Sequence, residues 1–329
     1  MRAITYDRFG PAADVLTLED LPTPEPAPGE VLVRLETSAV NPSDVRARAG
    51  GRPGVTKPPF PKIIPHSDGA GVIGAVGEGV DPARIGESVW IWNGQWGRAF
   101  GTAADHIALP AAQAVRLPED TSFADGAVLG IPALTAIHTV LGGGDVSGQR
   151  LLISGAAGSV GNLAVQVAAA KGAEVFATAR GDTGLAEAKA AGATHVFDYG
   201  SEDLADQILD ASGGALMNRI VEVEFGKNVD TNARVIAEGG TIASYGSAKD
   251  MTPTVPFYPL MFKAVTIELT LIYLLSESQR SKAIQDLTGL LQDNALNIRI
   301  AAELSLADCA RGHELVEAGA RQGAIILRP

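Results

Sequence analysis

One cysteine, Cys309, occurs in 329 residues. A single thiol permits no internal disulfide and cannot supply a four-cysteine zinc site. Long apolar runs are also missing. The strongest, residues 265–275, contains Thr266, Glu268 and Thr270 and is far too short to span a bilayer. The opening MRAITYDRFG has no apolar segment of the kind a signal peptide needs. Positive charge is in deficit: 26 basic and 38 acidic residues give a net charge of −12. That field repels a phosphate backbone, which argues against nucleic acid as a partner but leaves room for a local basic pocket holding one small anion. Neither an internal repeat nor a low-complexity tract occurs. These absences lead to the expectation of a soluble protein of the reducing cytoplasm with no membrane partner.

What is present bounds the fold. Hydrophobic residues make up 46% and charged residues 19%, enough for a sizeable core. At roughly 100–200 residues per domain, the length suggests two domains. The first third is rich in Gly and Pro. Short strands are expected at residues 4–6, 31–35, 71–76 and 88–91, with an extended Pro22–Pro28 segment and no long helix. Residues 123–141 have helical spacing interrupted at Pro132. From Arg150 the texture alternates. Strands are expected at 151–154, 174–178, 194–197, 220–223 and 241–245, and helices at 160–171, 185–191, 204–211 and 229–237. Such alternation indicates βαβ units and a doubly wound parallel sheet. Residues 265–272 read as its last strand, 278–292 as a helix and 324–327 as a strand.

The most informative stretch runs from Leu151 to Gly161. An apolar strand enters a small-residue turn and then an apolar helix. A tight turn needs small side chains, a pyrophosphate needs the backbone to approach it at Gly158, and close helix–strand packing needs Gly161. The pattern is A-x-G-x-x-G, with Ala156 in place of the usual first glycine, so Ala156, Ala157, Gly158, Ser159, Val160 and Gly161 are candidate cofactor-binding residues. NAD-binding forms carry a carboxylate at the end of the second strand. Here that strand ends in Ala179-Arg180, and a guanidinium suits the 2′-phosphate of NADPH, the alternative being a solvated surface arginine. Tyr199 follows the third strand, on the adenine side of such a sheet or simply as its cap.

These segments resemble the medium-chain dehydrogenase/reductase superfamily, and within it the zeta-crystallin-like quinone reductases. Val40-Asn41-Pro42-Ser43-Asp44 resembles the family's V-N-P-x-D. Pro65-His66-Ser67-Asp68-Gly69-Ala70-Gly71-Val72-Ile73 followed by Val76-Gly77 resembles its P-G-x-D-x-A-G-V-I…V-G, with His66 at the family's glycine. Gly130-Ile131-Pro132 with Thr135-Ala136 resembles the start of its interdomain helix. Gly246-Ser247 and Leu269-Thr270-Leu271 resemble the nucleotide-contacting ends of its last strands. The resemblance implies a Rossmann domain, residues 123–274, and a GroES-like β-rich catalytic domain, residues 1–122 with 275–329, with the cofactor in a cleft between them. It implies a homodimer built partly on the last Rossmann strand, although a buried core strand would have the same sequence texture. It also implies Asn41 beside the nicotinamide, where it is a candidate catalytic as well as cofactor-binding residue, and Thr135 near the carboxamide. The alternatives are a turn residue and a helix-interior residue. Trp92–Trp96 lines the substrate mouth or forms a surface loop. Relatives often carry a tyrosine shortly after the Asn-Pro turn, where this chain has Arg46 and Arg48.

Zinc-dependent relatives use a cysteine at the Asn-Pro position and a His-Glu pair further on. Here those positions read Asn41 and Ser67-Asp68, and the cysteine-rich lobe is absent. His66, His106, His138, His195 and His313 show no i,i+4 or short-loop spacing among themselves. No metal is expected. The resemblance then implies hydride transfer from NADPH to a quinone. The alternatives are reduction of an enone or enal, which would want an oxyanion-stabilising donor and a proton source, and a crystallin-like protein that binds NADPH with little turnover.

Overall fold

Between Arg150 and Leu269 the chain alternates strand and helix, as the apolar patterning requires. The computed structural model describes residues 1–51, 54–319 and 322–329. They divide into two units, Met1–Ile131 with Ile298–Pro329 and Pro132–Asn297.

The second unit holds a six-stranded, wholly parallel sheet. Its spatial order is His195–Asp198, Glu174–Ala179, Arg150–Ile153, Met217–Glu222, Ile236–Ser244 and Thr266–Leu269. Numbered along the chain this is 3-2-1-4-5-6, the Rossmann order, which reverses direction between the first and fourth strands. The inner strands Arg150–Ile153, Glu174–Ala179 and Met217–Glu222 are buried for most of their length, as is usual where helices cover both faces of a sheet. Phe176, Ile220, Ile236 and Ile242 are fully buried in one such layer with Ile208, Met217 and Val235.

The first unit holds a seven-stranded sheet in the order Ile300–Ser305, Ala324–Arg328, Glu30–Val40, Asp68–Val76, Ser88–Ile91 and Ala114–Arg116, with His106–Pro110 also pairing with Glu30–Val40. Val31, Val33 and Leu35 alternate inward along the central strand and are buried with Ile73, Val89, Ile91, Ile107 and Leu109. After it, helix Pro42–Ala49 starts with Pro42 at its first position and ends at Gly50, whose φ of 75° suits a glycine. The β-rich and Rossmann-like parts of the expected fold are therefore both present.

Several boundaries differ from the sequence reading. Residues 275–297 lie in the second unit, not with the β-rich part, and residues 123–131 lie in the first. Helix Glu277–Gln292, capped reciprocally by Ser276 and Gln279, packs against helix Leu134–Leu141. The helix expected to reach residue 237 ends at Val235, and the strand begins at Ile236. No Gly or Pro separates the two, so the apolar run hides the break. The last strand is four residues, Thr266–Leu269, and lies at the sheet edge with Leu269 77% exposed. Strand Ile300–Ser305 and helix Cys309–Ala318 were not read from the sequence. Among the described residues, no helix is long and apolar enough to cross a membrane.

Candidate functional site

In a parallel sheet every strand ends at the same edge, and ligands bind there where the order reverses. In the second unit this edge gathers nearly all the expected cofactor residues. The turn after the first strand is Gly155–Gly158, and helix Ser159–Ala170 starts immediately behind it. Gly155 makes the turn, with φ of 68°; the sequence reading credited the residue after it. The Ala156 N–H donates to the Thr178 carbonyl at 2.8 Å, locking the turn to the second strand. A Cβ on Gly161 would lie 2.3 Å from the Gly155 oxygen and 3.0 Å from the Ala156 Cα. That glycine lets the helix sit against the turn. Gly158 is exposed at the N-cap, and a Cβ there would meet only the Gly155 oxygen, at 3.3 Å. Ser159 and Val160 open the helix, where backbone N–H groups lack helical acceptors and the dipole favours an anion.

The second strand ends at Ala179, and Arg180 is exposed beyond it. Asp198, at the end of the third strand, accepts from the Gly181 N–H at 2.9 Å and the Gly200 N–H at 2.7 Å. Those bonds, with the Arg180 charge, hold its carboxyl below the usual aspartate range. Both oxygens of the acid at this edge are thus already engaged. Tyr199 is 41% exposed, and the Lys249 ammonium sits 5.9 Å from its ring centre. Lys249 belongs to no motif in the sequence; it follows the fifth strand in the loop that also holds Gly246 and Ser247.

On the other side of the reversal, Gly246 follows the fifth strand, and a Cβ there would lie 2.4 Å from the Val223 oxygen. The Ser247 hydroxyl accepts from the Gly226 N–H at 2.8 Å and donates to the Asp250 carbonyl. Thr270 donates its N–H to the Ser244 carbonyl at 2.7 Å, and its buried hydroxyl has no hydrogen-bond partner. Leu269 and Leu271 are exposed, and Thr135 is buried on helix Leu134–Leu141.

Beneath this edge lies a residue the sequence did not reveal. Glu222, at the end of the fourth strand, is fully buried. Its carboxylate accepts from the Ser154 hydroxyl at 2.8 Å, the Glu224 N–H at 2.6 Å, Asn228 Nδ2 at 2.9 Å and Asn232 Nδ2 at 2.8 Å. It ties the first strand, the fourth strand and helix Phe225–Val235 together at the reversal.

Asn41 belongs to the first unit. It is buried, and its Nδ2 donates to Asp68 Oδ2 at 2.8 Å. Its backbone N–H donates to Asp44 at 2.8 Å. Asp68 Oδ2 also accepts from the Ile131 N–H at 2.9 Å, while Oδ1 is buried without a partner. Burial pushes the Asp68 carboxyl well above the ordinary range. A Cβ on Gly130 would lie 2.1 Å from Asp68 Oδ1, so that glycine makes the space for the carboxyl. Arg48 is buried and bonds the Gly10 carbonyl and Glu317, while Arg46 is exposed. In the Trp92–Trp96 loop, the Trp92 indole donates to the Ala112 carbonyl at 3.2 Å and the Gly94 N–H to the Ser67 carbonyl at 2.8 Å, anchoring it to its own unit.

The histidines are not all scattered, as the sequence reading had them. His66 and His313 meet Cys309 in the interior of the first unit. The signal was Cys309-x-x-x-His313, an i,i+4 pair on a helix that had gone unread.

Comparison with known proteins agrees with this architecture. Residues 27–119 match the family model described as an alcohol dehydrogenase GroES-like domain, and residues 159–289 that of a zinc-binding dehydrogenase. Human quinone oxidoreductase is 31% identical over 251 residues, covering 75% of this chain and 73% of the relative. A solved NAD-dependent alcohol dehydrogenase superposes with a TM-score of 0.88 at 29% identity, over the whole of both chains. A mycobacterial protein solved with NADPH gives a TM-score of 0.88 at 26% identity, again over both whole chains. The chain therefore belongs to the quinone oxidoreductase family, in the zinc-independent branch of the medium-chain dehydrogenase/reductases.

Proposed function

We propose that this protein is an NADPH-dependent oxidoreductase that passes a hydride to a quinone without a metal. The observation that carries the reading is the sheet edge itself: a glycine turn that admits a pyrophosphate, with Arg180 at the end of the second strand and the neighbouring Asp198 already committed to backbone N–H groups. The mycobacterial structure solved with NADPH and the human quinone oxidoreductase support it.

When bound, NADPH supplies the hydride, so the protein's own tasks are binding, orientation and exclusion of water. The N–H groups opening helix Ser159–Ala170 would receive the pyrophosphate beside Ala156, Ala157 and Gly158. Arg180, helped by Lys249, would hold the 2′-phosphate, and Tyr199 would cover the adenine. Gly246, Ser247, Leu269, Thr270, Leu271 and Thr135 would flank the nicotinamide side, with the Thr270 hydroxyl available as a hydrogen-bonding group. Asp68 fixes the Asn41 amide through Nδ2, so the side chain would present a fixed amide to a cofactor or substrate group. The reading includes a cytoplasmic location.

The test is NADPH and NADH oxidation against a panel of quinones and enones. Quinone-dependent loss of NADPH absorbance is expected. Absorbance unchanged across the panel would refute the reading, and tight NADPH binding with no turnover would favour the crystallin-like alternative. Conversion of an enone to its saturated ketone, with quinones inert, would move the substrate class to activated alkenes. Arg180→Ala should raise the KM for NADPH roughly 10- to 100-fold, the worth of about 1.5–3 kcal/mol in hydrogen bonds to a charged group, and leave NADH nearly unaffected. Equal effects on both cofactors would remove Arg180 from the 2′-phosphate.

The proposal also includes a homodimer. The edge strand Thr266–Leu269 offers unpaired backbone groups, and Phe257, Tyr258, Phe262, Leu269 and Leu274 lie exposed along its unit. An uncovered edge and patch of this kind is an association site, and pairing with its own copy about a two-fold axis would extend the sheet. Leu269→Lys should shift the sedimentation mass from two chains to one. A wild-type protein of one-chain mass would refute the dimer.

A further inference from the structure

Within the first unit, three side chains capable of binding a metal converge in the buried interior. His66 Nε2 faces His313 Nε2 at 2.9 Å, and Cys309 Sγ lies 3.9 Å from His66 Nε2. All three residues are buried, and their donor atoms lie within 4.8 Å of one another. With metal–nitrogen bonds near 2.0–2.1 Å and metal–sulfur bonds near 2.3 Å, ligands of one ion sit about 3–4 Å apart. Cys309 and His313 come from one face of helix Cys309–Ala318. His66 comes from the segment leading into strand Asp68–Val76 and holds a φ of 76°, a backbone conformation that suits glycine best. A residue held in such a conformation points to a constraint imposed by its surroundings.

Hydrogen bonding sets the tautomer of His66. Thr102 spends its one hydroxyl proton on the Asp68 carbonyl at 2.6 Å, so it accepts from Ser38 at 2.8 Å. Ser38 therefore accepts, at 2.9 Å, from His66 Nδ1–H. That leaves His66 Nε2 as a lone pair aimed into the cluster, oriented by a second ring of bonds as metal-binding histidines are. His313 Nδ1 is buried with no partner. Two imidazole nitrogens this close need a positive centre beside them, either the His313 Nε2 proton or a cation.

We propose that His66, Cys309 and His313 form a three-coordinate site for a monovalent soft cation, Cu(I). Among the described residues no fourth histidine, cysteine or carboxylate joins the group. One thiolate and two neutral imidazoles neutralise a monovalent ion, whereas a divalent ion would leave a net positive charge in a buried site. A soft sulfur ligand also selects Cu(I), while structural zinc takes four ligands. On binding, the Cys309 thiol loses its proton to solvent, and the His313 proton moves from Nε2 to the unpartnered Nδ1. No electrons are transferred.

The test is anaerobic titration of the full-length protein with Cu(I) in the presence of a colorimetric Cu(I) chelator such as bicinchoninate. The wild type should withhold one equivalent. Cys309→Ser, nearly isosteric, and His66→Gly, which suits the local φ, should each surrender it while keeping wild-type circular dichroism. X-ray absorption of the copper-loaded wild type provides the readout should both variants misfold: one sulfur and two nitrogen neighbours are expected. Complete loss of Cu(I) to the chelator, equal retention by folded variants, a copper shell without sulfur, or preferential retention of Zn²⁺ would each overturn the proposal.

Discussion

Glu222→Ala is expected to destabilise the Rossmann unit by about 3–5 kcal/mol, since each buried donor left without its acceptor costs about 1–3 kcal/mol. Four groups lose this acceptor together: the buried Ser154 hydroxyl and Asn232 amide, and the half-buried Glu224 N–H and Asn228 amide. The position is fully buried, so solvent does not reach it without local opening. Glu222→Gln keeps one oxygen acceptor and puts an amide donor where the second oxygen was. It should fall between the wild type and the alanine variant. Urea unfolding followed through the transition of this unit measures both. A loss below about 1 kcal/mol for the alanine variant would mean that the four donors find other partners, and that Glu222 does not clamp the point where strand order reverses.

Gly161→Ala is the second large effect. The new Cβ would lie 2.3 Å from the Gly155 oxygen, 2.8 Å from its carbonyl carbon and 3.0 Å from the Ala156 Cα. Every neighbour is backbone, so no side chain can swing aside, and the helix must lift from the turn. Overpacking of this kind costs about 1–3 kcal/mol. The same shift moves the helix N–H groups away from the pyrophosphate, and NADPH affinity should fall at least about 30-fold, or about 2 kcal/mol. Gly158→Ala separates the two roles. Its Cβ meets nothing closer than 3.3 Å and its φ is −76°, so the melting temperature should stay near the wild type while NADPH binding weakens. Thermal shift with and without NADPH reads both variants. If Gly158→Ala binds normally, the backbone at that residue does not approach the phosphates.

The features legible in the sequence are local ones. Small residues from Gly155 to Gly161 between an apolar strand and helix record a close backbone approach, and alternation from Arg150 to Leu269 records the sheet. Long-range convergence left no such trace. Glu222 reads as one more acid until Ser154, Asn228 and Asn232 arrive from other elements. His66 and Cys309 are 243 residues apart, and the helix carrying Cys309 and His313 has too few apolar residues to announce itself. The sequence of Glu277–Gln292 shows that it is a helix but not which surface covers it, so its membership of the second unit is not legible there. The texture of residues 265–272 fits a core strand or an edge strand equally; exposure of Leu269 decides for the edge.

The first unit draws its sheet from both sides of an insertion. Ala324–Arg328 pairs with Glu30–Val40 on one side and Ile300–Ser305 on the other. On a ribosome, residues 132–297 emerge as an unbroken stretch carrying their own complete sheet, while the β-rich unit waits with the end of its central strand, residues 38–40, lacking its C-terminal partner. Pairing that end requires closing a very long loop, which is slow and leaves unpaired strands open to aggregation. Birth order along the chain therefore favours the nucleotide-binding half maturing first and the half bearing Asn41 last.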